Sequence, residues 1–361
     1  MACAMLLIRD LGGNCNMSLQ ARETLKNTHL LEVNHLRTSF FTAAGEVKAV
    51  DDISYYVDRG EVVAMVGESG CGKSISQMST MQLIQSPPGK ILGGEILFNG
   101  ANILEHSAKS KEMRSIRGAE IAMVFQEPMT SLNPVLTIGA QLCEVIRTHS
   151  NLSKKEAWEQ ATKALESVGI PDAAQRMKNY PFQLSGGMRQ RVMIATAIAC
   201  SSKMIIADEP TTALDVTTQA QVMELLMQTV KDNGTALLMV THNLGLVTRY
   251  ANRIYVMYAG RIIESGTTEE ILTNPRHPYT IGLLKSVPRL DDDSDEKLFA
   301  IEGAPPNLAQ LPECCAFCAR CSYSTDECKK KTRPELRVIS DGNGIHSVAC
   351  HLDIGGANYE Q

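Results

Sequence analysis

The stretch Gly67-Glu68-Ser69-Gly70-Cys71-Gly72-Lys73-Ser74 constrains this chain more than any other. It fits G-x-x-x-x-G-K-[ST], a loop that works only between a strand and a helix. Its glycines let successive backbone N–H groups turn toward one anion. Lys73 adds a point charge for the β- and γ-phosphates of a nucleotide, and the Ser74 hydroxyl is a ligand for Mg²⁺. The flanks agree with this reading. Val62-Val63-Ala64-Met65-Val66 is apolar and rich in β-branched residues, as expected of a buried parallel strand. Residues Ile75 to Ile84 contain neither proline nor glycine, so a helix is expected there, its positive end facing the phosphates.

Two further motifs follow in order. Leu184-Ser185-Gly186-Gly187-Met188-Arg189-Gln190-Arg191 is a second anion nest, a hydroxyl and two glycine N–H groups opening a largely apolar helix. Met204-Ile205-Ile206-Ala207-Asp208-Glu209-Pro210 is an apolar strand ending in two carboxylates, the Walker B pattern. Taken singly, each is equally well an ordinary capped helix or core strand. In this order after a phosphate loop they resemble the ABC ATPases, with Met188 where the LSGGQ signature more often has glutamine. The rest of that family's set is present. Gln126 resembles the Q-loop glutamine, Ala213-Leu214-Asp215 the D-loop, and His242, after the apolar run Ala236 to Val240, the switch histidine. The resemblance spans roughly residues 30–290.

The bulk composition is compatible with this. The chain has 361 residues, 44% hydrophobic and 21% charged, enough for a large core plus an appendage. A net charge of −5 without a dense basic run gives no support for nucleic-acid binding. No apolar run approaches the ~18 residues of a membrane span. Ala2 to Ile8 lacks a preceding basic region and does not read as a signal peptide. Membrane attachment is therefore expected to come through partners.

Residues 1–29 read as an N-terminal tail, with Met17 an alternative start, and 30–290 as the ATPase domain. A β-rich segment from Leu30 to Val57 precedes the phosphate loop, and Phe40 or Phe41 is a candidate to stack on adenine, or else a hairpin aromatic. Residues from about 127 to 200 read as a helical subdomain. There Ser153-Lys154-Lys155-Glu156 forms a capping box, and Ala157, Ala161, Ala164, Leu165 and Val168 share a helical face. Thr217 to Lys231 reads as another helix. Asp291 to Glu296 is a charged break, expected to be a solvated linker before a cysteine-rich tail at 291–361. The resemblance implies an α/β fold: a RecA-like P-loop core, an antiparallel β subdomain, a helical subdomain and a small cysteine-rich extension.

The resemblance also implies roles. Gly67, Glu68, Ser69, Gly70, Cys71, Gly72 and Lys73 would bind the phosphates of ATP, while Ser74, Asp208 and Gln126 would attend Mg²⁺. Glu209 would be the general base toward water, with Gln126 and His242 beside it. Ser185, Gly186, Gly187 and Asp215 would meet the nucleotide of a second ATPase paired head-to-tail.

Within the family, Gln126 to Pro134, Asn274-Pro275-Arg276-His277-Pro278-Tyr279-Thr280 and the distal cysteines resemble the peptide and nickel importer branch. Gln190 to Ala195 is similar to its D-type subunit. Asn243 departs from it, standing after His242 where aspartate is frequent. That branch implies an F-type ATPase partner, two transmembrane permeases, an extracytoplasmic solute-binding protein, and a peripheral place on the cytoplasmic face of the inner membrane. The cargo this resemblance implies is a dipeptide or oligopeptide, with nickel chelate, glutathione or another small solute as alternatives.

Six of the eleven cysteines lie between 314 and 350. The branch's pattern falls on Cys315, Cys321, Cys328 and Cys350 and implies a [4Fe–4S] cluster held by four thiolates. The spacing lacks the paired C-x₂-C hooks of a typical zinc site, although zinc stays open. So do unliganded thiols and, from Cys314, Cys318 and Cys321, the C-x₃-C-x₂-C of radical-SAM enzymes, for whose barrel the remaining chain is short. A soluble ABC ATPase of repair or iron–sulfur assembly is the alternative class. It is disfavoured by the Asn274–Thr280 motif. A redox sensor on a retired ATPase is disfavoured by the intact Lys73, Asp208, Glu209 and His242.

Overall fold

The structure is a computed structural model that describes residues 29–43, 45–211, 215–287, 300–339 and 346–354. The N-terminal tail, the D-loop residues Ala213 and Leu214, and the charged break at 291–296 lie outside the described residues.

β1 (Leu31–Thr42) and β2 (Gly45–Val57) pair antiparallel, and β3 (Val62–Val66) leads into the phosphate loop. β4 (Gly89–Phe98) returns to β1, and β5 (Ala101–Asn102) pairs with β4, giving an antiparallel sheet of order β2-β1-β4-β5. The remaining strands are β6 (Ile121–Val124), β7 (Met204–Asp208), β8 (Ala236–Thr241), β9 (Arg253–Tyr258), β10 (Arg261–Thr267), β11 (Arg337–Val338) and β12 (Ser347–Val348). With β3 they form a second sheet of order β11-β12-β10-β9-β3-β8-β7-β6. It is parallel from β9 to β6 and antiparallel at the other edge.

β3 shows how sequence becomes architecture. It is apolar at every position because both faces are covered. Val62, Ala64 and Val66 point into the core shared with the helices, while Val63 and Met65 point toward the antiparallel sheet. The period of two therefore assigns each side chain of one strand to one of two cores.

The helical subdomain runs from Pro128–Ser131 to Gly186–Ile198. The capping box at Ser153 and Glu156 is formed, and Ala157, Ala161, Ala164, Leu165 and Val168 are all buried. The helix expected at Thr217–Lys231 spans Val216–Asn233 and ends on Gly234 in the left-handed conformation. The helix after the phosphate loop differs from expectation: it covers Lys73–Thr80 rather than reaching Ile84. The chain turns at Gln82, whose φ is 48°. Arg117 fixes that exit, donating to the carbonyls of Met81 and Gln82 at 2.8 Å each.

The cysteine-rich extension is continuous with the main sheet. β12 pairs with β10, and β11 with β12. Its anchor is Glu264 on β10, a fully buried carboxylate. Glu264 accepts from the backbone N–H groups of Arg276 (2.6 Å) and His277 (2.9 Å), and its Oε1 lies 2.8 Å from Nε2 of His346. Burial pushes the His277 imidazole down to about 4, against the opposing pull of Glu264, so it stays neutral and accepts the Tyr279 N–H through Nδ1. Unfolded, the same ring titrates near 6.5. The unfolded chain thus binds more protons between these values.

Stability from His277 is complete above pH 6.5 and is lost as pH falls toward 4, by about 1.4 kcal/mol per pH unit at the steepest. Denaturant titrations across that range should show wild type losing stability faster than His277→Gln, and equal slopes would remove this role. Leu165→Ala, at a fully buried position of the helical subdomain, should cost about 2–5 kcal/mol in the same assay.

Candidate active site

The site lies beyond the carboxyl ends of the parallel strands, where open α/β sheets bind ligands. The register aligns these ends. Val66 faces Thr241, Val240 faces Asp208, and Ala207 faces Val124. The residues just past each strand are therefore neighbours: Gly67 after β3, Gln126 after β6, Glu209 after β7 and His242 after β8.

The phosphate loop is shaped by close backbone approach. A Cβ on Gly67 would strike the Met257 carbonyl, and one on Gly72, at φ 106°, the carbonyl of Ala49. Lys73 is buried, with Nζ donating to the carbonyls of Gly67 (2.8 Å) and Glu68 (2.9 Å). The Ser74 hydroxyl donates to Asp208 Oδ1 at 2.8 Å. Burial raises the Asp208 carboxyl, as does the charge of Glu209, while Ser74 and Lys73 pull it back. A buried carboxylate and a hydroxyl at contact distance form a donor pair suited to Mg²⁺, a hard cation that prefers oxygen.

Glu209 is the centre of the arrangement. Its φ is +46°, a left-handed conformation that costs a non-glycine residue about 1–3 kcal/mol and that recurs at functional sites. Its N–H donates to Val240 O at 2.9 Å, which pins the turn to β8. Gln126 Nε2 donates to its Oε2 at 2.8 Å, and His242 Nδ1 lies 3.2 Å from its Oε1. The Glu209 side chain is only 12% exposed while that of His242 is 60% exposed, so the carboxylate is shielded between groups that reach into solvent.

Ser185 and Asp215 are N-caps. Ser185 accepts from Met188 N–H at 3.3 Å, and Asp215 from Thr218 N–H at 3.0 Å, bonds that hold the Asp215 carboxyl below its usual range. A Cβ on Gly187 would press on the Thr218 methyl at 3.1 Å, so the signature glycine lets these two helix starts meet. Ser185 and Gly186 are exposed. Phe40 and Phe41 lie at the far end of β1, paired with Val47 and Glu46. Phe40 is half-buried and Phe41 is 51% exposed.

The distal cysteines gather away from this site. Cys315, Cys318, Cys321, Cys328 and Cys350 line one small cavity beside His277 and Phe317. All four cysteines that the resemblance singles out are in that lining, and so is Cys318, with Sγ 3.0 Å from the Ser324 hydroxyl. Burial and then the neighbouring thiols push Cys315 and Cys321 up to about 11. Among the described residues no three His, Cys, Asp or Glu side chains are gathered tightly enough to hold a metal ion.

The comparisons with known proteins agree with the geometry. The family described as ABC transporter matches residues 50–212, and the family described as oligopeptide/dipeptide transporter, C-terminal region, matches 263–328. The oligopeptide transport ATP-binding protein AppD of Bacillus subtilis is 50% identical over 323 residues, covering 90% of this chain and 96% of its own. OppD of the same organism is 47% identical over 329 residues, 91% of each chain. Among solved structures, an ATP-binding cassette captured as a post-hydrolysis dimer with ADP and Pi superposes with a TM-score of 0.60 at 25% identity, over 66% of this chain and 98% of that one. The fold and site thus define an ABC ATPase, and the chain belongs to the ATP-binding proteins of the oligopeptide/dipeptide transporter family.

A Glu209→Gln variant should keep ATP binding, because the phosphate loop is untouched, while steady-state hydrolysis falls by ~10²-fold or more. Phosphate release together with calorimetric titration of ATP checks this, and near-wild-type turnover would exclude Glu209 as the base.

Proposed function

We propose that this chain is an ATP-hydrolysing subunit of a peptide importer, acting as half of a head-to-tail ATPase pair on the cytoplasmic face of a membrane. The observation that carries the reading is the convergence of Gln126 and His242 on Glu209, beside the Ser74–Asp208 pair and the buried Lys73. Lys73 and the loop N–H groups bind the β- and γ-phosphates. Ser74 and Asp208, with Gln126, are the residues to hold Mg²⁺, which supplies charge neutralisation across the phosphate oxygens. Glu209 takes the proton of the attacking water, and Gln126 fixes the orientation of its carboxylate. His242 reaches the γ-phosphate, and Phe41, the more exposed of the pair, offers its ring to adenine.

The exposed Ser185-Gly186 start of its helix supports a signature that caps the nucleotide of a second subunit. The related cassette was solved as a dimer. The second subunit in this reading is an F-type ATPase. The helical subdomain carries exposed Val135, Tyr180 and Phe182, an apolar surface fit for two permeases, which a solute-binding protein loads from outside. No helix among the described residues is long and apolar enough to cross a membrane, so attachment runs through these partners. Both named relatives are oligopeptide transport ATP-binding proteins, which supports a peptide cargo.

Four of the five cysteines that line one cavity are the donor type a [4Fe–4S] cluster takes, although no three of them are gathered tightly enough to hold a metal ion as they stand. A bound cluster supplies cross-linking of an extension poor in apolar residues. Cys315, Cys321, Cys328 and Cys350 hold it in this reading, with Cys314 and Cys318 as bystanders.

In mixed dimers, Ser185→Arg in this chain should disable the partner's nucleotide site and leave this chain's own loop able to bind ATP. Both effects falling on one site would end the head-to-tail reading. Anaerobically purified chain should carry about four irons and four acid-labile sulfides. Cys350→Ser should lose them, and stoichiometric zinc without iron would refute the cluster.

A further inference from the structure

We infer that Arg320, in the cysteine-rich extension, is a positioning residue for the phosphate loop. The chain uses it to make ATP binding depend on the docked extension. The inference rests on the nucleotide site assigned above. Arg320 forms a bidentate pair with Glu68, from NH1 to Oε2 at 2.7 Å and from NH2 to Oε1 at 2.9 Å. Its Nε donates to Glu302 O at 3.0 Å, and NH1 also reaches the Tyr258 hydroxyl at 3.3 Å. The guanidinium sits 5.9 Å from the ring centres of both Tyr258 and Phe317. With its side chain only 6% exposed, it is a seated group rather than a solvated surface charge.

Glu68 is the second residue of the phosphate loop, and each of its polar groups is occupied. Its carboxylate takes Arg320, its N–H donates to the Tyr279 hydroxyl at 2.7 Å, and its carbonyl accepts from Lys73 Nζ at 2.9 Å. One residue thus connects the phosphate-binding ammonium to the extension. The surroundings are rigid: Tyr279 packs on Tyr258 at 4.6 Å between ring centres, and Phe317 packs on both, at 5.4 and 5.3 Å. A staple that only fastened the extension could land anywhere on the ATPase surface. This one lands on the loop whose shape binds phosphate, where small displacements weaken every N–H contact to the anion at once.

The test is calorimetric titration of ATP into the full chain. Arg320→Ala and Glu68→Gln should each raise the Kd by about tenfold, and the double variant should stay within about threefold of either single one, because the pair acts as a unit. Arg320→Lys, which keeps the charge but not the fork, should recover part of the loss. The inference is overturned if Arg320→Ala binds ATP within about twofold of wild type, or if the two losses simply add. Should Arg320→Ala fold poorly, Glu68→Gln decides alone: ATP binding within about twofold of wild type overturns the inference. Lys73→Ala is the control: if it leaves ATP binding intact, the nucleotide site itself is misassigned. If it abolishes binding while the Arg320 cycle is flat, only the positioning role fails.

Discussion

The structure depends on one close approach: the backbone of the phosphate loop against carbonyls from both sheets. Gly67 lies against Met257 of β9, and Gly72 against Ala49 of β2. Neither contact leaves room for a side chain, so the loop is held between the parallel and antiparallel sheets rather than supported on one of them. Electrostatics then follow from position. The ammonium of Lys73 is buried among loop carbonyls, and the helix it opens begins at the loop's left-handed glycine. A positively polarised cup is fixed in place before any anion arrives, so little reorganisation is left for binding.

The acidic half of the site follows a different constraint. Asp208 ends β7 in buried register with β8, whereas Glu209 is the first residue past the strand, held to β8 by its N–H alone. Its left-handed backbone turns the side chain out of the strand's alternation, toward Gln126 and His242. Adjacent carboxylates thereby take different environments. The first is buried against Ser74, with its proton affinity raised. The second is gripped at both oxygens and stands next to solvent-facing His242. One suits a cation and the other a water, and the division is set by two consecutive backbone conformations.

What was legible in the sequence was whatever is local. Gln126, Glu209 and His242 could be named from the resemblance of their motifs to those of ABC ATPases, and parallel strands in register bring them to one edge. The face of Ala157, Ala161 and Leu165 could be named because its period is that of a helix. The early end of the Lys73–Thr80 helix was not legible, since it depends on Arg117, 36 residues away from the Met81 carbonyl it holds. The charged run at 291–296 suggested a detached tail, yet β12 joins β10 across more than eighty residues of chain, through pairs such as Glu264 with Val348. Strand pairs of two residues leave no pattern of their own, and only tertiary contact creates them.

The Asn274–Thr280 segment shows how far a recognisable motif can stand from its physical reason. In the sequence it is a run with two prolines that resembles the peptide and nickel importer branch. In the fold it is the junction of three bodies. The backbone N–H groups of Arg276 and His277 close on the buried carboxylate of β10, and the neutral ring of His277 caps the helix Pro278–Lys285. Two residues further on, the Tyr279 hydroxyl meets the phosphate loop at Glu68. The same Glu264 that receives the motif also receives His346 from the extension. Each contact would be weak evidence alone. Jointly they make the motif a bracket: Tyr279 packs against Phe317, and three residues on Arg320 pairs with Glu68. The extension therefore touches the phosphate loop directly, although the chain reaches it some two hundred and fifty residues later.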